Sequence, residues 1–360
     1  MYYNTFVVKQ SIIIQRKNQV ILLPIALIIT GVLVLGVIFV NGWTDAPNAI
    51  ATAVSTRVLR PRTAITMAVI LNFFGVLVMT FVNAEVAETI SNMVSFEGGQ
   101  NVAQIALAAA LFSIVAWSVG AWYFGIPTSE SHSLIAGITG SALAMGGTGA
   151  INMSEWNKVL IGLVISSIIG FGGGFGVAKL MQKIFAHINR SSANRFFTVG
   201  QAFSAAANAF LHGAQDGQKF MGVFMLTLFY NGIVGRNSAG SFDIPLWVMI
   251  MCSLVMGLGT SVGGMRIIKA VGMDMVKLER YQGFSADLSA AFCLFASSLL
   301  GIPVSTTHTK TTAIMGVGAA RRVSSVDWRI VKEMVLAWIL TFPGCGLIAF
   351  LMTKLFIHIF

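Results

Sequence analysis

Apolar stretches recur along the chain at roughly 20–40, 64–82, 102–124, 126–146, 158–178, 197–230, 244–265, 284–300, 301–320 and 331–357, with short polar stretches between them. About 20 apolar residues carry a helix across a bilayer, so most of these runs approach spanning length. The pattern predicts an all-α polytopic membrane protein of about 10–12 membrane segments. Several runs are interrupted. The 197–230 run contains Asp216 and Lys219, and the runs starting at Gly125 and Gly301 open on a proline and a cluster of Ser and Thr. Such interruptions mark broken helices and re-entrant hairpins, which are tolerated in a membrane only where they line a site. At the N-terminus, a polar stretch with Lys9, Arg16 and Lys17 precedes an uncharged run from Asn18 to Thr44. A cleaved signal peptide has a shorter apolar core. The run therefore reads as the first membrane helix, behind a cytoplasmic segment 1–19.

Composition sharpens this picture. Of 360 residues, 56% are hydrophobic and 10% charged, against about 25% charged in soluble domains. That is too little charge to cover a water-facing surface. The net charge of +10 falls in loops between apolar runs, the pattern of cytoplasmic membrane loops and not of a nucleic-acid-binding face. Cys252, Cys293 and Cys345 lie in apolar stretches without CxxC spacing, so they read as packing residues.

The chain is duplicated. Phe39-Val40-Asn41-Gly42-Trp43-Thr44-Asp45 lines up with Phe210-Leu211-His212-Gly213-Ala214-Gln215-Asp216. Gly125-Ile126-Pro127-Thr128-Ser129-Glu130-Ser131-His132 lines up with Gly301-Ile302-Pro303-Val304-Ser305-Thr306-Thr307-His308. The blocks keep their order and nearly their separation, which places a first repeat at 20–180, a basic cytoplasmic linker at 181–196 and a second repeat at 197–360. Loop charges then orient each half. In the first, basic loops (Arg57, Arg60, Arg62; Lys179, Lys183, Arg190, Arg195) flank two loops without Lys or Arg, one of them carrying Glu85, Glu88 and Glu97. In the second the order flips: a loop with Arg236 alone, then Arg266, Lys269, Lys277 and Arg280, then Arg321, Arg322, Arg329 and Lys332, then a tail with Lys354. By the positive-inside rule the halves are inverted relative to one another. Inverted-topology repeats with a midplane site are a hallmark of secondary transporters.

A charged group at the centre of a membrane helix costs at least ~2.5–3.5 kcal/mol, so each calls for a reason. Asp45 and Asp216 occupy the same position in the two repeats; beside unwound backbone they offer hard oxygen ligands to Na⁺ or a titratable site for H⁺. Pro127 and Pro303 suit the first turn of a new helix, which puts Ser129, Ser131, Ser305, Thr306 and Thr307 at helix starts. Free N–H groups, the positive dipole end and hydroxyl donors make an anion cradle there. His132 and His308 match across the repeats and read as hydrogen-bonding struts, or else as proton relays. Lys219 is spaced to pair with Asp216 on one helix face. Glu130 and Lys310 break the symmetry of their blocks and could form an ion pair or gate across the repeats. Asp287 reads as a helix cap.

These motifs resemble the inorganic phosphate transporter (PiT) family over nearly the whole chain. The family's duplicated segment is similar to Asn41–Thr52 and His212–Gly222, and the Gly-Ile-Pro blocks look like its paired hairpin tips. The resemblance implies import of inorganic phosphate coupled to Na⁺, or alternatively H⁺, by an oligomer with a moving part and a scaffold in the cell membrane, its N-terminus cytoplasmic. It implies no enzymatic activity and no cofactor beyond the co-transported ion. Asn48, Ser129, Ser131, Gln215, Ser305, Thr306 and Thr307 would bind phosphate; Asn41, Asp45 and Asp216 would bind the coupling cation, Na⁺ at the two Asp residues; Glu130, His132, Lys219, His308 and Lys310 would gate or support. The chain departs from the family pattern at Thr44, Gln215, Glu130 and Lys310. Anionic lipid or a cytoplasmic regulatory protein would suit the basic loops. A sulfate permease is the rival within transport, a passive channel another. An intramembrane aspartyl protease would need its two Asp residues to share a proton, and leaves the paired hairpins unexplained.

Overall fold

The computed structural model describes residues 27–96, 99–124, 126, 128–238 and 240–359. The segment 1–19, Glu97, Gly125 and Pro127 lie outside the described residues. The first apolar run forms α1 (27–44) and α2 (Pro47–Ser55), a single span of 29 residues from Leu27 that is broken at Asp45 and Ala46. Pro47 causes the break, because it has no N–H to continue the ladder and its ring crowds the preceding turn. Then follow α3 (Pro61–Val82), the short α4 (Glu85–Asn92), α5 (Gln100–Tyr123), α6 (Glu130–Gly146) and α7 (Met153–Ile184).

From Arg190 the order of elements repeats. α8 (Arg190–His212) and α9 (Gln218–Tyr230) are joined by one π-helical turn, Gly213–Gly217, at the place where α1 and α2 are split by proline. Next come α10 (Leu246–Val262), the short α11 (Met265–Lys269) with a second π turn to Asp274, α12 (Arg280–Leu299), α13 (Thr306–Arg321) and α14 (Trp328–Ile359). Even the isolated β-bridges recur, Val94 with Ile151 and Val276 with Val326.

Packing is reciprocal between the halves. α7 lies against α13 as α14 lies against α6, α12 packs on α7 as α5 packs on α14, and α4 meets α9 as α11 meets α2. The close approaches match as well. A Cβ on Gly75 would stand 1.9 Å from the Phe210 carbonyl oxygen, and one on Gly259 would stand 2.1 Å from that of Phe39. Counterpart residues touch one another: the Ser129 and Ser305 hydroxyls lie 2.8 Å apart, and the His132 and His308 rings 4.3 Å apart. These contacts map onto one another when the halves are exchanged.

The surface is that of a protein in lipid. α7 turns Ile161, Val164 and Ile168 outward and α14 turns out Leu336, Ile339 and Leu347, while Asp45, Asp216, Lys219, Asp287 and Lys310 are buried. Small residues at the helix contacts let backbones approach, which is how membrane helices gain packing without a hydrophobic drive between them. Among the described residues, five helices are long and apolar enough to span, or six if α10 and the bent segment after it form one. The sequence estimate of 10–12 segments also counts shorter and more polar helices such as α6, α8 and α13. Within 181–196, α7 runs to Ile184 and α8 starts at Arg190, with the turn between them at 185–189.

Candidate functional site

The two helix breaks and the starts of α6 and α13 converge on one buried point. Ser129 is the N-cap of α6 and accepts from the His132 N–H at 3.3 Å; Ser305 caps α13 and accepts from the His308 N–H at 3.1 Å. A cap satisfies one of the N–H groups that a helix start leaves without an intrahelical partner. Pro303 sits two residues before its cap, in extended chain, and not in the first helical turn as the sequence suggests. α12 has already ended before it, closed at Gly301 with φ +63° and by the Ile302 N–H donating to the Ser297 carbonyl at 2.9 Å.

The carboxylates stand beside these starts. Asn48 Nδ2 donates to Asp45 Oδ1 at 2.6 Å, and the Thr307 hydroxyl donates to the same oxygen. The Thr306 hydroxyl lies 3.4 Å from Asp45 Oδ2 and 3.1 Å from Asp216 Oδ2, so it bridges the two acids. Asn41 Nδ2 reaches across from α1 to Asp216 Oδ2 at 3.1 Å. Lys219 Nζ donates to Asp216 Oδ1 at 2.6 Å, to Ser131 Oγ at 2.7 Å and to the Val304 carbonyl at 2.5 Å. Gln215 holds the second hairpin: its Nε2 lies 3.0 Å from Ser298 Oγ, and its Oε1 accepts from the Val304 N–H at 3.3 Å. Asn41, Asp45, Asn48, Ser129, Ser131, Gln215, Asp216, Lys219, Ser305, Thr306 and Thr307 are thus gathered in one network. In it Thr306 and Thr307 donate to the acids.

Other residues fall elsewhere than the sequence suggests. Lys310 does not meet Glu130. It pairs with Asp287 in the middle of α12, which removes Asp287 from the role of helix cap; Glu279 caps that helix. Glu130 Oε1 instead accepts from the Thr44 hydroxyl at 2.9 Å, and Oε2 accepts from Ser118. His132 packs on Phe342 and His308 on Trp338, ring to ring.

One functional-looking residue escaped the sequence reading. His212 Nε2 lies 3.3 Å from Asp216 Oδ2, its Nδ1 is 2.8 Å from Asn72 Oδ1, and one ligand atom each of Asp45, His212 and Asp216 falls within 4.8 Å of the others. Its alignment with Asn41 was the available signal, because both counterparts end up beside Asp216. The donor set is rich in oxygen, and the side-chain carbonyls of Asn41 and Asn48 are buried without a hydrogen-bond partner. Buried unsatisfied acceptors next to carboxylates fit a hard cation.

Among the described residues the protein is all-helical, and it buries Asp45, Asp216 and Lys219 where its helices break, which is how a membrane transporter builds its site. Residues 41–349 match the phosphate transporter family. A "Probable low-affinity inorganic phosphate transporter" of Rhizobium meliloti (strain 1021) is 41% identical over 86% of this chain and 90% of its own length. A protein with the same description from Bacillus subtilis (strain 168) is 39% identical over 85% of this chain and 89% of its own. A solved structure titled "The sodium-dependent phosphate transporter" shares the fold, with a TM-score of 0.81 at 22% identity over 93% of this chain and all of that one. The chain belongs to the phosphate transporter family. Its relatives are named as transporters and not as enzymes.

Proposed function

We propose that the chain imports inorganic phosphate across the cell membrane, driven by a cation gradient with Na⁺ the favoured ion. The carrying observation is the convergence at one buried point of two helix N-termini, capped by Ser129 and Ser305, with two carboxylates, Asp45 and Asp216. Each N-terminus carries roughly half a positive charge. Two that meet attract an anion, and the N–H groups at the helix starts supply donors for its oxygens. Asp45 and Asp216 would repel that anion unless cations accompany it, which couples one to the other. On this reading Ser129, Ser131 and Ser305, with Asn48 and Gln215 in support, receive phosphate. Thr306 and Thr307 move between acid and anion as the site loads, and Asn41, Asp45 and Asp216 hold the cation.

The charge pattern of the loops favours an inverted arrangement of residues 20–180 and 197–360, with the N-terminus cytoplasmic. An in-plane two-fold axis then places the site near the midplane, as alternating access requires. Sulfate is the competing cargo. The acceptors of Asp45 and Asp216 suit an anion that still bears a proton, which phosphate does near neutral pH.

Labelled-phosphate uptake into proteoliposomes, with Na⁺ and pH gradients imposed separately, tests this reading. Accumulation driven by Na⁺ and insensitive to sulfate is expected. Uptake that follows the proton gradient alone makes the carboxylates proton carriers, and strong sulfate competition or no accumulation sinks the phosphate symporter.

A further inference from the structure

We propose that the Lys219 ammonium is a resident cation that permanently fills the Asp216 half of the centre, leaving the Asp45 half as the place where a mobile coupling cation binds. The inference rests on the reading of Asp45 and Asp216 as cation ligands given above. It starts from register. Asn48 stands three residues after Asp45, and Lys219 three residues after Asp216. Asn48 Nδ2 lies 2.6 Å from Asp45 Oδ1 and 3.3 Å from the hydroxyl of Thr307. Lys219 Nζ lies 2.6 Å from Asp216 Oδ1 and 2.7 Å from the hydroxyl of Ser131, the residue that corresponds to Thr307 in the other hairpin. The same three positions therefore meet in both halves. One half holds a neutral amide and the other a positive charge.

The surroundings of Nζ are those of a bound cation. Its acceptors are a carboxylate, a hydroxyl and, at 2.5 Å, the backbone carbonyl of Val304. These are the hard oxygen types that bind Na⁺ and Ca²⁺. An ammonium has three N–H donors, and each has an oxygen here, so none is left to hold an anion in this arrangement. The contacts also tie α9 to both hairpins at once, through Ser131 and Val304, as an ion shared by the two repeats would. Around Asp45 the immediate donors Asn48, Thr306 and Thr307 are neutral, and the side-chain carbonyl oxygen of Asn48 has no hydrogen-bond partner. That half has ligands to spare and no fixed cation of its own.

The substitution Lys219→Asn copies the Asp45 half onto the Asp216 half and tests the inference. In proteoliposomes the wild-type protein should take up phosphate with a Hill coefficient for Na⁺ of about one, and K219N with about two, because this coefficient is bounded by the number of coupled sites. K219R, which keeps a cation in place, should leave the order unchanged. Na⁺ binding to purified protein gives a readout independent of transport: Na⁺ raises the melting temperature in proportion to the sites it fills. The dependence on log Na⁺ should therefore be about twice as steep for K219N once the sites are saturating. Equal Na⁺ order and equal slopes in wild type and K219N overturn the resident-cation inference while leaving the symporter reading intact. A wild type without Na⁺ dependence in either assay removes the Na⁺ reading itself. Na⁺ dependence gained only in K219N would still support the role of Lys219, and none in either protein overturns both.

Discussion

Two places that correspond in the register of the duplicated halves are built from opposite chemistry. In one half, Lys310 on α13 pairs with Asp287 on α12, the Thr52 hydroxyl donates to Asp287 at 2.6 Å, and Lys310 also reaches the Ala49 carbonyl at 3.3 Å. Carrying the register of the duplicated blocks across, the other half has Leu134, Leu111 and Val223 at the positions of Lys310, Asp287 and Thr52. All three are buried in the larger apolar cluster. The same helices therefore meet through a charged network on one side and a greasy one on the other. The fold needs volume there, and charge is a choice. Buried ion pairs are often no more stabilising than apolar residues of similar size, whereas half of such a pair is a heavy liability. Asp287 and Lys310 are best understood as a unit, held to α2 beside Asp45.

The largest effect should come from splitting that unit. Lys310→Leu alone leaves Asp287 buried with its partner gone, which should cost about 3–5 kcal/mol, read as a fall in the thermal unfolding temperature of the detergent-solubilised protein. The triple variant T52V/D287L/K310L, which copies the other half, should recover that loss and land within about 1–4 kcal/mol of wild type on the stable side. A K310L protein as stable as wild type would break the comparison. A triple variant that folds and binds but no longer transports would move the charges from architecture to mechanism.

The second test asks whether the halves are as alike in packing as they are unlike in charge. Gly75→Ala forces a methyl against the Phe210 carbonyl, and Gly259→Ala forces one against that of Phe39. Overpacking of this kind should destabilise by about 1–3 kcal/mol, and similarly in both halves. At Gly36, also within a helix, an added methyl would meet nothing within 4 Å, so Gly36→Ala should be neutral or mildly stabilising, because Ala is the better helix former. A large cost at Gly75 with none at Gly259 would show the reciprocal contacts to be unequal.

How much of this is legible in the chain follows from what kind of interaction is involved. The duplicated Asp45 and Asp216, the hairpin starts at Ser129 and Ser305, and the break at Pro47 depend on local chemistry that repeats in the chain. The Lys219–Asp216 pair is also local, three residues apart on neighbouring turns. Symmetry alone sets Lys310 against Glu130, because both disturb the pattern of their blocks, yet its partner is Asp287, which the sequence presents as one more polar residue after a basic loop. Glu130 likewise finds Ser118 and Thr44 through the packing of α5 and α1 against α6. No periodicity encodes these pairings, since they depend on how helices distant in sequence rotate against one another. His212 lies four residues from Asp216, as local as Lys219, and only the contact of its counterpart Asn41 with Asp216 is made across the chain.

The smallest effect lies where the two hairpin starts meet. Ser129 and Ser305 each cap a helix, and each hydroxyl also meets the other at 2.8 Å. Ser129→Ala and Ser305→Ala should each cost about 1 kcal/mol from the lost cap, plus the hydrogen bond between the hydroxyls. The double variant loses that bond only once. Its cost should therefore fall short of the sum of the singles by about 0.5–1.5 kcal/mol, the net worth of one hydrogen bond, a difference that a double-mutant cycle on unfolding can resolve. Strict additivity would mean that the hydroxyls act independently and that the hairpin starts do not touch in the folded protein. Sub-additive loss that disappears when phosphate is added would mean that the anion separates the two hydroxyls and takes a bond from each, which links the contact between the halves to the cargo.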